Sequence, residues 1–260
     1  MGNSTGAGSF IDRLVAGEGL VGTWSQIASA DALEVLGGAG FDFTVIDTEH
    51  TAFGLERAQD LLRAADACGL PAMVRIAALE RMLMTKALDA GFRAVVLPGV
   101  RDAAGIATAI GWSRYGTGGG RGACPCIRAG GQAVTDWPGF ARRSDSEVLC
   151  IPLIENRAAI GGIQRIVAVE GVRVVMLGPF DLSVDMGLGG DLHHPRVTAA
   201  IERVLAACAA HGVTPVLPLF DTDPAALRAR MEEWRGRGVR VFMLGTDKLL
   251  LASMARILTA

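Results

Sequence analysis

The chain is short of almost everything that proteins of nucleic acids and membranes carry. It has one tyrosine, aromatic residues make up 5% of it, and its 25 basic residues, set against 27 acidic ones, form no polybasic run. That balance argues against nucleic acid or an anionic membrane surface as a main partner. No apolar stretch is long and uninterrupted enough to span a bilayer. The N-terminus, MGNSTGAGSFIDRLVAGEG, lacks the basic start and apolar run of a secretory signal, and Gly6 in place of Ser or Thr makes it a poor myristoylation site. The 5 cysteines are odd in number and irregularly spaced, which points to a reducing, cytoplasmic setting. The glycine-rich GTGGGRG lacks the Lys and Ser/Thr of a phosphate loop, and ACPC has no second Cys/His pair to complete a metal site.

What is present suits a large core. Half of the 260 residues are hydrophobic and a fifth are charged, a composition that excludes a disordered chain. The Gly/Ser/Thr-rich residues 1–9 read as a flexible tail and residues 10–260 as one domain. Eight β-rich runs are expected at 20–27, 43–48, 71–76, 93–100, 147–155, 172–178, 213–220 and 239–246. Helical patterns lie between and after them, at about 31–38, 55–68, 80–90, 102–114, 157–169, 195–211, 224–236 and 247–259, many stopped by glycine. Eight strands, each followed by a helix, make a (β/α)8 TIM barrel. A doubly wound open sheet is the alternative, but no dinucleotide fingerprint follows its first strand. Residues 115–146 break the alternation as a Gly-rich insertion with no clear periodic element. It follows a helix rather than a strand, so it reaches the active face only by folding back over it.

Catalytic groups of such barrels gather at the C-terminal ends of the strands. Asp47, Glu49 and His50 close the second strand in FTVIDTEH, Arg75 closes the third, Glu155 the fifth, and Asp181 follows the sixth. Two carboxylates with few other protein ligands suit a hard cation such as Mg2+, which keeps waters and takes further ligands from substrate; zinc would prefer His and Cys. Arg75 can hold a carboxylate or a developing enolate oxygen, and His50 can move protons near neutrality. Metal, Arg and His together suggest enolate chemistry on a 2-oxo acid. Each residue also has a plainer role open to it: Asp181 or Glu155 as a helix cap, His50 as a satisfied half-buried histidine, Arg75 as a bridge between rim carboxylates.

The ordered motifs DTEH, VRI, ALDAGFRAVVLPGV, GGRG, LIEN, LGPFDLS and LGTDKLLL resemble the HpcH/HpaI family of divalent-metal-dependent, pyruvate-forming aldolases, from about residue 10 to the end. Members cleave 4-hydroxy-2-oxoheptanedioate or 2-dehydro-3-deoxyglucarate. The resemblance implies a (β/α)8 barrel that exchanges its last helix between subunits, within homo-hexamers built as trimers of dimers. It implies Glu155 and Asp181 as ligands of Mg2+ or Mn2+, with Co2+ as a further candidate, and a 2-oxo acid and an aldehyde as small-molecule partners. Arg75 would stabilise the pyruvate enolate and His50 would act as acid/base at the C4 oxygen. Asp47 would support the site, while Asp89 would orient the histidine from this chain or an adjacent subunit. Gly178 and Pro179 would cradle the substrate carboxylate, and Arg121 would belong to a loop near the mouth. One position departs from the family: where it usually has Gln, this chain has Leu153, on the same strand face as Glu155. An apolar group there replaces a polar neighbour of the metal or its substrate.

Overall fold

The computed structural model describes residues 9–259. The tail expected over residues 1–9 therefore lies, up to residue 8, outside the described residues, and Ser9 is the N-cap of the first helix, its hydroxyl accepting from the Asp12 amide. In chain order the elements are α1 (Phe10–Val15), β1 (Val21–Ser25), α2 (Ala30–Gly38), β2 (Phe43–Asp47), α3 (Leu55–Cys68), β3 (Ala72–Arg75), α4 (Arg81–Asp89), β4 (Ala94–Leu97), α5 (Ala103–Trp112), α6 (Trp137–Glu147) and β5 (Leu149–Ile154). They continue with α7 (Arg157–Val167), β6 (Val174–Leu177), α8 (Pro179–Asp185), α9 (Pro195–His211), β7 (Thr214–Leu219), α10 (Pro224–Gly236), β8 (Val241–Thr246) and α11 (Asp247–Thr259). The strands close into one parallel barrel, each paired with its chain neighbours and β8 with β1. This is the (β/α)8 architecture expected from the alternation.

The strands are apolar on both faces because both faces are covered. Phe43 and Val45 of β2, Ile151 and Leu153 of β5, Val174 and Met176 of β6 and Met243 of β8 fill the barrel interior. Ile46, Cys150, Val175 and Phe242, one residue out of phase, pack against the ring of helices. Phe43 is fully buried; cutting it to Ala would cost about 3–5 kcal/mol. The helix α1 packs beneath this interior cluster through Ile11 and Leu14. All five cysteines are free, and among the described residues no helix is long and apolar enough to cross a membrane.

The insertion at 115–146 corrects the expectation of a stretch without periodic structure. It contains a 3-10 turn at Arg128–Gly130 and runs into α6, whose N-cap Asp136 accepts from the Gly139 amide. Its organiser is a cluster of Tyr115, Trp137 and Phe140, with ring centroids 5.0–5.9 Å apart. Arg121 lies 4.4 Å over the Tyr115 ring and donates to Ser144 Oγ and Asp89 Oδ1, each at 2.9 Å. Contacts so distant in the chain leave no local pattern to read.

Candidate active site

Strand register builds the centre of the site. Asp47 and Arg75 face each other across the β2–β3 ladder, and period two turns both inward with Phe43, Val45 and Met73. Arg75 grips Asp47 with two hydrogen bonds, Nε to Oδ1 at 2.9 Å and Nη2 to Oδ2 at 2.7 Å. The Asp47 side chain is 0% exposed and that of Arg75 7%. Gln26 Nε2 and the Glu49 amide also donate to Asp47, at 2.8 and 3.0 Å. Burial pushes the Asp47 carboxyl up, but the hydrogen bonds and charge of Arg75, with the Gln26 and Glu49 donors, outweigh it and hold the group below its ordinary value. Trp24 stacks under the guanidinium at 4.3 Å. A pair held by two strands and a ring cannot swing, so the remaining N–H groups of Arg75 keep a fixed aim.

A second carboxylate, Glu49, lies with Oε2 3.2 Å from Arg75 Nη1, near enough for charge attraction but not aligned as a hydrogen bond; that oxygen is buried and without a hydrogen-bond partner. Burial raises Glu49 above its ordinary value, against the charges of Arg75 and His50. His50 is largely exposed, its Nε2 4.0 Å from Glu49.

Across the barrel, Glu155 follows the last residue of β5 and Gly178 the last of β6, where Ile154 and Leu177 are paired. A Cβ on Gly178 would lie 2.5 Å from Glu155 Cβ and 3.2 Å from its Oε2, so only glycine lets the carboxylate sit there. Glu155 Oε1 accepts from the Gly99 amide at 2.6 Å. Burial pushes the Glu155 carboxyl up to about 7; the Gly99 amide opposes this, while Glu49 and Asp181 add to it. Asp181 stands in the first turn of α8, whose N-cap is Gly178, and caps nothing with its own side chain.

The chemistry of this donor set fits a divalent cation. Glu155, Asp181 and Glu49 bring like charges together, and the donors are hard oxygens suited to Mg2+ or Mn2+. Among the described residues no three His, Cys, Asp or Glu side chains converge as a ligand group. Two carboxylates would leave most of the coordination sphere to water and substrate oxygens.

A cavity of about 570 Å³ opens over this centre and is lined by His50, Arg75, Leu153, Gly178, Pro179 and Asp181. Of the expected set, these six share one mouth. Asp47 lies behind Arg75, and Glu155 beside Gly178. Asp89 and Arg121 are not brought to the mouth of this chain: they pair with each other at 2.9 Å, Arg121 buried, at the far end of α4. Asp89 lines a different groove, of about 830 Å³, on the outer flank between α3, α4 and the insertion. That groove holds no strand end, and the strand-end cavity is therefore the candidate site.

Sequence reasoning gave no role to Trp24, Gln26, Phe180, Leu192, Pro218, Phe220, Thr246 and Leu249, which also line the cavity. Most of them stand at or just past the C-terminal ends of β1, β6, β7 and β8, which was the available signal; the apolar ones at such a place suggest no chemistry by themselves.

Comparison with known proteins places this geometry. Residues 20–252 match the family model of the HpcH/HpaI aldolase/citrate lyase family. The chain is 35% identical over 193 residues to 2-dehydro-3,6-dideoxy-6-sulfogluconate aldolase of Pseudomonas putida, covering 74% of this chain and 75% of that one. It is 30% identical over 255 residues to 4-hydroxy-2-oxo-heptane-1,7-dioate aldolase of Salmonella paratyphi C, covering 97% and 93%. A crystal structure of an HpcH/HpaI aldolase/citrate lyase family protein from Burkholderia cenocepacia superposes with a TM-score of 0.88 at 31% identity, covering 96% and 97%. The chain belongs to the HpcH/HpaI aldolase/citrate lyase family of carbon–carbon lyases.

Proposed function

We propose that the protein is a divalent-metal-dependent aldolase that cleaves a 4-hydroxy-2-oxo acid to pyruvate and an aldehyde, and joins them in reverse. The observation that carries this reading is the fixed Asp47–Arg75 pair facing the Glu155/Asp181 carboxylates across one mouth. Mg2+ or Mn2+, or Co2+ in their place, held by Glu155 and Asp181, would polarise the 2-oxo acid and stabilise negative charge on its keto oxygen.

The chain's own groups supply the rest. In cleavage the C4 hydroxyl loses its proton as the C3–C4 bond breaks; C4 leaves as the aldehyde carbonyl and the bonding pair remains on C3 as the pyruvate enolate. Arg75, immobilised by Asp47 and Trp24, directs its free N–H groups at the enolate oxygen. His50, exposed at the rim, takes the C4 proton directly or through water. Asp47 acts as a positioning residue, and Asp89 orients His50 from an adjacent subunit, a geometry for which its distance from the mouth of its own chain leaves room. The amide of Gly178 and the ring of Pro179 border the substrate carboxylate, and Arg121 holds the insertion to the α4 end that carries Asp89. Protonation of C3 completes pyruvate.

The same reading includes a homo-hexamer, a trimer of dimers in which α11 is exchanged between subunits. In its support, Leu251, Met254, Ile257 and Leu258 of α11 are 57–77% exposed, an apolar face left uncovered among the described residues. Deuterium exchange of the pyruvate methyl group in D2O tests the enzymatic reading. Exchange that requires Mg2+ or Mn2+ and falls to background in Arg75→Ala is expected; metal-independent or absent exchange refutes it.

A further inference from the structure

The cavity has two unlike halves. The ionisable groups come from the ends of β2, β3, β5 and β6, whereas the wall contributed by the β6–α9 segment, β7 and α11 is apolar: Phe180, Leu192, Pro218, Phe220 and Leu249. Phe180 is 52% exposed, yet its position is built rather than incidental. Gly190, at φ +86°, lies beneath its ring, where a Cβ would come within 2.9 Å of it. Leu153 continues the apolar wall inward to the metal side and is 1% exposed. The basic side chains among the described residues that line the cavity are Arg75 and His50, both on its ionic side; Asp47 and Glu49 already engage Arg75, and His50 lies 4.0 Å from Glu49. At the rim, Arg157 is turned away to Asp185, 3.1 Å from it.

A carboxylate or sulfonate at the far end of a substrate tail would leave water along such a wall without a cation to meet it, which is costly. An alkyl or aryl tail would gain with every carbon buried. We infer that the aldehyde partner of this enzyme carries an apolar tail, seated on Phe180, Leu192, Phe220 and Leu249. This rests on the aldolase reading above and adds the substrate class to it. The 30–35% identical relatives, in contrast, are named for a dicarboxylate and a sulfonate.

The test is the condensation direction with pyruvate and Mn2+, in which C3 of pyruvate loses a proton, bonds to the aldehyde carbon, and the aldehyde oxygen gains a proton. Two acceptors of similar shape are compared, 4-methylpentanal and 4-oxobutanoate, the isopropyl end of one matching the carboxylate of the other. Expected is a kcat/KM at least about tenfold higher for 4-methylpentanal, rising about fourfold per methylene from propanal to pentanal, the equivalent of about 0.8 kcal/mol each. Phe180→Lys should narrow the ratio by supplying a cation. Preference for 4-oxobutanoate by the unaltered enzyme overturns the inference while leaving the aldolase reading intact, because pyruvate methyl exchange is scored in the same samples without an aldehyde. Loss of that exchange as well overturns both. An unchanged ratio in Phe180→Lys, together with an altered particle mass, assigns Phe180 to a subunit contact and overturns the seating proposed here.

Discussion

Arg75→Ala should damage stability and turnover by separable routes. The substitution strips a side chain that is 0% exposed, Asp47, of its bidentate partner and leaves only Gln26 Nε2 and backbone amides on the charge. Breaking a buried pair from one side costs about 3–5 kcal/mol. For a chain of this size each kcal/mol moves the midpoint by about 2–4 °C, giving a fall of roughly 6–20 °C. Turnover should drop about 10²–10³-fold if Arg75 stabilises the enolate. The double variant Asp47→Leu/Arg75→Met removes both charges at similar volume, so it should regain most of the midpoint but none of the activity. Acid titration adds a sign. Because the Asp47 carboxyl is held below its ordinary value, the pair's stabilisation is present above about pH 4 and is lost as pH falls through the depressed value. The double variant should lack that acid-dependent component. Differential scanning fluorimetry at fixed protein concentration, with pyruvate methyl exchange on the same samples, reads all three. A double variant melting as low as Arg75→Ala would refute the uncompensated-charge account; one that keeps activity within tenfold of the parent would refute the enolate role.

Adding Mn2+ to about a hundred times its dissociation constant should stabilise the protein by about 2.7 kcal/mol, roughly 5–11 °C, and Glu155→Gln should abolish that shift without lowering the metal-free midpoint; a persisting shift would move the metal elsewhere. Arg121→Ala leaves Asp89 and Ser144 without their shared donor and should open residues 115–146 to limited proteolysis while the barrel survives as a protected fragment. Cleavage no faster than in the parent would show that the aromatic cluster alone holds the insertion. Leu251→Glu with Leu258→Glu on α11 should reduce the particle mass measured by light scattering; an unchanged mass would place the subunit contact away from that face.

The eight strands were legible because a parallel stave is apolar on both faces over four to eight residues and a glycine stops most of the helices that follow. The short helices were not. The six residues of α1 and the seven of α8 are too few to show a period of 3.6, and α6 is held by Tyr115, which lies outside it in the chain. At the site, strand-end position singled out Arg75 and Glu155 because a charge at the end of an apolar run is itself a signal. Trp24 and Phe220 gave none, since an aromatic residue at the same position looks like more core. The pairing of Asp89 with Arg121 joins α4 to the insertion across a separation of 32 residues that contains β4 and α5, which no spacing rule covers.

The closed order of the barrel explains why the two halves of the cavity differ. Asp47 and Arg75 are partners in register on adjacent strands, so they neutralise each other locally and leave a directed but nearly charge-balanced donor. Glu155 has no such partner: its neighbour on β6 is Gly178, which offers space instead of a counter-charge. On the β5–β6 side of the mouth, Glu155 and Asp181 therefore stand without a paired cation, and on the proposed reading this is where a divalent cation would bind, with Arg75 facing it from across. Beyond β6 the strands end in Pro218, Phe220 and Thr246, groups that can shape a site but not charge it. On the proposed aldolase reading, with ionic chemistry held between β2 and β6, discrimination among aldehydes would fall to the fit of the apolar surface built by the β6–α9 segment, the end of β7 and the start of α11.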